Sequence, residues 1–343
     1  MIRTTLILMA ASALCACSSS LPQSSLKSAV PALTSAGYRW YSIDYSGATQ
    51  TQVTGIADNQ DIVGVYTKNS DSDSHAFTAE YDAGYPGYPS LVKNDYPDDS
   101  GTYLSSIMSS SKDVEAGYAI SPGPENGTWG VIDNGGLWTL LQKFPNVEKC
   151  HMMEIFGIDT NYDAVGYFLK PTSSGASCST TQRALLVRRN EKYIDLGQPI
   201  TSEGFPVATG ISNLTQLIVG YTSSYQGGPY TGWSMVTPGG KALAWHCCST
   251  ASTKSTQILG VNDEIGSPSQ DWAVGTYYNN SKPQGFILKD LNPLTGTGAW
   301  EPLNYPNSDG TVVSGIDKNG DVCGWYTTGG ATLGFVAINQ TGK

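Results

Sequence analysis

Residues 55–67 read GIADNQDIVGVYT, and residues 315–327 read GIDKNGDVCGWYT. Each phrase holds two apolar stubs around a core of Asp, Asn, Gln or Gly, residue types that tolerate the left-handed backbone of a tight turn. The spacing predicts a hairpin, and its recurrence near both ends of the chain predicts a repeat. Six versions occur: TGIADNQDIVGVYT, SSIMSSSKDVEAGYA, FGIDTNYDAVGYF, TGISNLTQLIVGYT, LGVNDEIGSPSQDWAVGTYY and SGIDKNGDVCGWYT. Their second glycines are Gly64, Gly117, Gly166, Gly220, Gly275 and Gly324, at intervals of 53, 49, 54, 55 and 49 residues. A period near fifty with short strands points to a propeller or a solenoid array.

Each copy parses alike. A strand ends at Gly-Ile, a polar turn follows, and a second strand of the type IVGVY comes next. A variable loop then leads to a third strand (HAFTAEY, TWGVID, RALLVRR, GWSMVT, QGFILKD, LGFVAIN) and a fourth (SLVK, LWTLLQ, KYIDLG, KALAWHC, AWEPLNY). Four antiparallel strands in about fifty residues make a propeller blade. The sixth copy stops after its third strand, whereas YRWYSIDYSGATQTQVTGI near the start aligns with AWEPLNYPNSDGTVVSGI. Residues 38–44 are therefore expected to supply the missing strand. The expected fold is all-β: residues 38–343 form a six-bladed β-propeller whose N-terminal strand completes the last blade and leaves no open edge at the seam.

Composition agrees with strands and turns. Of 343 residues, 39 are Gly and 20 Tyr, while charged residues are only 14%, and no long amphipathic helix is visible. A formal net charge of −10 argues against nucleic acid as a partner, because phosphate contacts need clustered Lys and Arg.

The first residues read as a processing signal, with Arg3 in a short positive region and TTLILMAASAL as an apolar stretch too short to span a bilayer. The following LCACSSS resembles the bacterial lipoprotein signal, with Leu14 three residues before Cys17 and Ala16 just before it. Residues 1–16 are then a signal peptide, Cys17 the lipidated residue, and residues 17–37 a Ser- and Pro-containing tether. A plain secretory peptide is the alternative. Either reading places the protein at the bacterial cell envelope, as an outer-membrane lipoprotein attached through its lipid, or outside the cell.

The repeat phrases GIADNQDIVGVY, SHAFTAEY and GIDKNGDVCGWY resemble the probable extracellular repeat of the HAF family. His75, Ala76 and Phe77 spell the family's tripeptide, and residues 53–338 carry the pattern more loosely. The resemblance implies an exported, propeller-like protein and brings no catalytic residues with it.

Chemistry-bearing residues are sparse. Export permits disulfides, and Cys150 with Cys178 is the preferred pair because both fall in one repeat, although connectivity cannot be read from sequence. The adjacent Cys247 and Cys248 are expected on opposite faces of a strand. His75, His151 and His246 lie in three different repeats, and no G-x-S-x-G elbow accompanies them. Two turns place oxygen ligands at alternate residues: Asp159, Asn161 and Asp163, then Asp317, Asn319 and Asp321. That spacing resembles the first half of a calcium loop, but no downstream bidentate carboxylate follows, so capping of the hairpin turn is the preferred reading. No other cofactor is expected. Tyr66, Tyr118, Tyr167, Tyr221, Tyr277 and Trp325 follow the repeat glycines by one or two places; packing between blades is the expected role, and stacking on sugar rings the alternative.

The reading that results is a monomeric, non-catalytic binder of a glycan or of an envelope or host protein. A polysaccharide hydrolase or lyase with paired carboxylates across the central mouth is the runner-up, and a purely structural envelope protein is a third possibility. Specificity is expected in the loops LKPTSSGASCSTTQ and TSSYQGGPYTG.

Overall fold

The computed structural model describes residues 34–35, 37–69, 71–82, 87–97, 101–107, 114–121, 127–141, 152–171, 178–190, 192–200, 204–212, 214–224, 228–236, 239–245, 255–262, 271–292, 295 and 297–341. Among these residues the chain is all-β. Two strands come first, β1 (Thr34–Ser35) and β2 (Tyr38–Ile43). A first unit follows with β3 (Gln50–Ile56), β4 (Ile62–Lys68), β5 (Asp71–Ala79) and β6 (Val92–Lys93). The second comprises β7 (Gly101–Ile107), β8 (Val114–Ser121), β9 (Gly127–Asn134) and β10 (Leu137–Leu140), and the third β11 (Met153–Ile158), β12 (Ala164–Pro171), β13 (Cys178–Val187) and β14 (Tyr193–Gly197). The fourth holds β15 (Phe205–Ile211), β16 (Leu217–Ser223), β17 (Tyr230–Val236) and β18 (Leu243–Trp245). The fifth has β19 (Thr256–Val261), β20 (Asp271–Asn279), β21 (Lys282–Asn292) and β22 (Thr297–Pro302), and the last run is β23 (Gly310–Ile316), β24 (Val322–Thr328) and β25 (Ala331–Asn339).

Units two to five are four-stranded antiparallel sheets. The last three strands gain their fourth from the beginning of the chain: β2 pairs antiparallel with β25 from Tyr38 opposite Asn339 to Ile43 opposite Gly334. The short β1 extends that edge by pairing with β2, so residues expected to lie wholly in a tether contribute a two-residue strand. One parallel bridge, Thr332 to Gln50, links the last unit to the first, so the two form a single nine-stranded sheet.

The repeated glycines have a common physical cause. In every unit the register between the first and second strands shifts at the same place, between Val53 and Gly55, Leu104 and Ser106, Ile155 and Gly157, Ala208 and Gly210, Ile258 and Gly260, and Val313 and Gly315. Such a bulge bends the strand that carries it and sharpens its twist. A Cβ at Gly64, Gly117, Gly166, Gly220, Gly275 or Gly324 would run into a backbone carbonyl of the first strand, from Gln52, Tyr103, Glu154, Val207, Gln257 or Val312 respectively. Only a residue without a side chain fits there.

Packing runs between units rather than within them. Six buried clusters each join neighbouring units: one, for example, sets Val165, Ala184 and Leu186 of the third against Ala208, Ile218 and Trp233 of the fourth. Another joins the last unit to the first, with Val336, Ile338 and Ile43 against Val53, Ile62 and Phe77. Hydroxyls on the first strands add cross-links. Thr54 donates to the Leu104 carbonyl (2.6 Å), Ser105 to that of Ile155 (2.5 Å), Thr209 to that of Ile258 (2.8 Å) and Ser314 back to that of Val53 (2.8 Å).

Candidate functional site

The six first strands approach one another along their lengths. At the turn end, their Gly-Ile segments and equivalents surround a narrow cavity of about 60 Å³. Toward the starts of these strands lies a second cavity of about 240 Å³, lined by Tyr103, Phe156, Tyr221, Gln257, Tyr278 and Trp325 together with Thr54, Ser105, Thr209, Leu259, Val312 and Ser314.

Two strand positions recur around this mouth, with some of their side chains lining the cavity and others standing beside it. On the first strand, the residue two places before the bulged one is Tyr103, Glu154 or Gln257 in units two, three and five. On the second strand, the residue directly after the repeat glycine is Tyr118, Tyr167, Tyr221 or Trp325. Successive strand residues point to opposite faces, so both positions address the same layer. The rings form a belt: Tyr103 stacks on Tyr118 (4.9 Å between centroids), Tyr118 meets Phe156 (6.0 Å), and Phe156 meets Tyr167 (6.2 Å). Across the mouth Tyr221 meets Tyr230 edge-on (5.4 Å) and Tyr230 meets Tyr278 (5.8 Å). Tyr230 comes from the TSSYQGGPYTG loop, and the Tyr278 hydroxyl donates to Gln257 Oε1 (3.3 Å).

Glu154 lies within this belt, half-buried, and accepts a hydrogen bond from the Tyr167 hydroxyl. Burial raises its pKa above the ordinary carboxylate value, and the hydrogen bond from Tyr167 partly opposes that rise. Its charge reaches the neighbouring phenols: burial first and Glu154 second push Tyr103 up to about 12 and raise Tyr118 and Tyr167 as well.

The aromatics flagged in the sequence divide by a one-residue offset. Those directly after the glycine belong to the belt. Tyr66 and Tyr277, one residue further on, take the opposite face: Tyr66 is buried and stacks on Tyr45 at 3.7 Å, while Tyr277 packs against the cluster between units four and five. Packing was the expected role for all six, and it holds for these two. Tyr326, which sequence reasoning passed over, repeats the Tyr66 arrangement against Tyr305 at 3.7 Å. Tyr103, Glu154, Gln257 and Tyr278 were passed over too, and the only signal available was the fixed distance of the first three from the bulge.

The turn acids lie at the other end. Asp159 Oδ1 accepts the backbone N–H of Asn161 (2.8 Å) and of Asp163 (2.9 Å), and Asp317 Oδ1 accepts those of Asn319 and Asp321 (both 2.8 Å). Asp163 pairs with Arg188 and accepts the Arg189 N–H (3.0 Å); Asp321 accepts the Asn339 N–H (2.7 Å) and the Gln60 amide (2.6 Å). These engagements support turn capping, and Gln60 with Asp321 also ties the first unit to the last. Asp317 is fully buried; burial, then the charge of Asp321, pushes its pKa up to about 8. Among the described residues no three His, Cys, Asp or Glu side chains gather as metal ligands.

His75 lies on β5, its Nδ1 2.7 Å from Asp95 and its ring stacked on Tyr66. Cys17, Cys150, Cys247, Cys248, His151 and His246 fall outside the described residues, as does the side chain of Cys178. Cys323 is a buried free thiol.

No family model and no curated protein matches the chain. Among solved structures it is similar to an oligogalacturonate lyase in complex with manganese, at 11% identity and a TM-score of 0.46 over 90% of this chain and 95% of that one. It is also similar to a prolyl endopeptidase (10%, 0.46, covering 90% of this chain and 50% of that) and to the polysaccharide lyase Uly1 (10%, 0.44, covering 89% and 85%). Likeness of this degree says nothing about activity.

Proposed function

We propose that the six units are the blades of a closed six-bladed β-propeller of the HAF-repeat kind, exported and held at the bacterial envelope through a lipid on Cys17, whose central mouth binds a glycan without cleaving it. The observation that carries the reading is the cavity of about 240 Å³ ringed by aromatic side chains and edged with hydroxyl and amide groups. Flat rings offer stacking surface to a sugar, and a few fixed polar groups orient its hydroxyls. The Ser314–Val53 and Gln60–Asp321 hydrogen bonds support closure, because they join the last unit to the first.

A polysaccharide-acting enzyme is a second reading, favoured by Glu154: a carboxyl with raised proton affinity beside a phenol is suited to general acid chemistry. A paired mechanism needs two carboxylates at the cavity; Glu154 stands beside it and no Asp or Glu is among its lining residues.

The test is a glycan-array screen of residues 18–343, with and without a calcium chelator, beside a product assay on the same polysaccharides. Saturable binding without product is expected. Turnover would replace the first reading with the second; failure to bind any glycan would leave the structural envelope protein. Loss of binding on chelation would return attention to Asp159, Asn161, Asp163, Asp317, Asn319 and Asp321.

A further inference from the structure

Among the described residues the belt holds one carboxyl group, that of Glu154, which stands opposite Tyr167 across the β11–β12 pair, beside the cavity and not among its lining residues. Among the described residues, burial and the Tyr167 hydroxyl dominate the surroundings of Glu154, no Lys or Arg acts on it, and no Lys, Arg or His lines the cavity. A half-buried carboxylate without a cation is an unfavourable charge that an incoming cation relieves and an incoming anion worsens. Aromatic rings act in the same sense, because their faces carry negative potential and attract an ammonium group.

The polar lining points the same way for a separate reason. The hydroxyl hydrogens of Thr54, Ser105, Thr209 and Ser314 are donated to backbone carbonyls, which can only accept. The Tyr278 hydroxyl donates to Gln257. These five groups therefore present lone pairs, alongside the donors of Tyr103, Tyr221, Gln257 and Trp325 in the same lining. The lone pairs suit the donors of an ammonium group, and the rings and the nearby carboxyl suit its charge.

We propose that the glycan taken by this mouth carries free amino groups, with an ammonium held among the tyrosine rings beside Glu154. This rests on the mouth being the binding site. A net charge of −10 favours approach of such a chain over long range.

The test titrates residues 18–343 at neutral pH with three probes of equal length: glucosamine oligomers, N-acetylglucosamine oligomers and galacturonate oligomers. The amino oligomer is expected to bind about tenfold or more tightly than its acetylated counterpart, a plausible yield for desolvated cation–π and charge contacts, with galacturonate weakest. Glu154→Gln is expected to shrink the amino-to-acetyl ratio, and Trp325→Ala to weaken the amino oligomer. Equal or tighter binding of the acetylated or acidic oligomer overturns the amino-group inference while leaving a glycan-binding mouth in place. Binding of the amino oligomer undiminished by Trp325→Ala also overturns it, since attraction to the acidic surface then suffices. No binding by any probe overturns it, and the array screen decides separately whether the mouth binds some other glycan. The wild-type ratio decides the matter even where Glu154→Gln does not fold.

Discussion

At Gly220 a methyl group would strike the Val207 carbonyl and crowd the Trp233 ring, and neither can retreat, because one is bulged backbone and the other is fully buried. Gly220→Ala is expected to lower stability by about 1–3 kcal/mol, the range for overpacking a filled site, read from urea denaturation; an unchanged midpoint would contradict the close-approach explanation. Asp317 allows a second prediction. Its folded-state pKa is raised from 3.8 to about 8, so the folded state holds the proton more tightly than the unfolded chain. The contribution of this group is full below pH 3.8 and is lost as pH rises through about 8. The stability of wild type relative to Asp317→Asn should fall across that window, and a flat difference would show that Asp317 stays ionised. The repeat glycine was legible in the sequence because a backbone collision demands the same residue in every unit. Glu154 was not, because its position accepts Gln52, Tyr103, Val207, Gln257 and Val312 elsewhere, so no recurring letter marks it.

Strands and their order were legible because each is a short alternating run bounded by turn residues, and the alignment of residues 38–44 with the end of the fifth repeat anticipated the pairing of β2 with β25. The face each aromatic takes was not legible, since a shift of one residue moves a side chain through the sheet and the spacing from the glycine varies between one and two. The two faces predict different outcomes. Tyr66→Ala, on the packed face, is expected to cost about 3–5 kcal/mol, as for large aromatic truncations in cores. Tyr221→Ala, in the mouth, is expected to weaken glycan binding with a smaller loss of stability; calorimetric titration and thermal melts on both variants check the contrast. For the element that closes the last sheet, removal of residues up to 44 would bare the edge of β25 and take away Trp40, which packs on Phe335 at 5.2 Å and Tyr305 at 5.6 Å. Self-association on size-exclusion chromatography is the expected result; a monomer with an unchanged melt would mean that β2 contributes little.

For the whole molecule, the proposed ring follows from unit-to-unit links that recur down to the seam. Ser314 repeats at the seam the hydroxyl-to-carbonyl bond that Thr54, Ser105 and Thr209 make elsewhere, and Lys318 adds an ion pair to Asp58 at 2.9 Å. Residues hundreds of positions apart, such as Tyr103 and Trp325, line one cavity, as the proposed closure would require. No local motif announces such a site; the sequence shows the repeat that builds it, and only the packing of the units against one another shows its contents. The most direct test is a crystal structure of residues 18–343 soaked with the tightest-binding glycan from the array. The account predicts sugar density in the mouth against Tyr103, Tyr221 and Trp325; density confined to the outer loops, with the mouth empty, would contradict it.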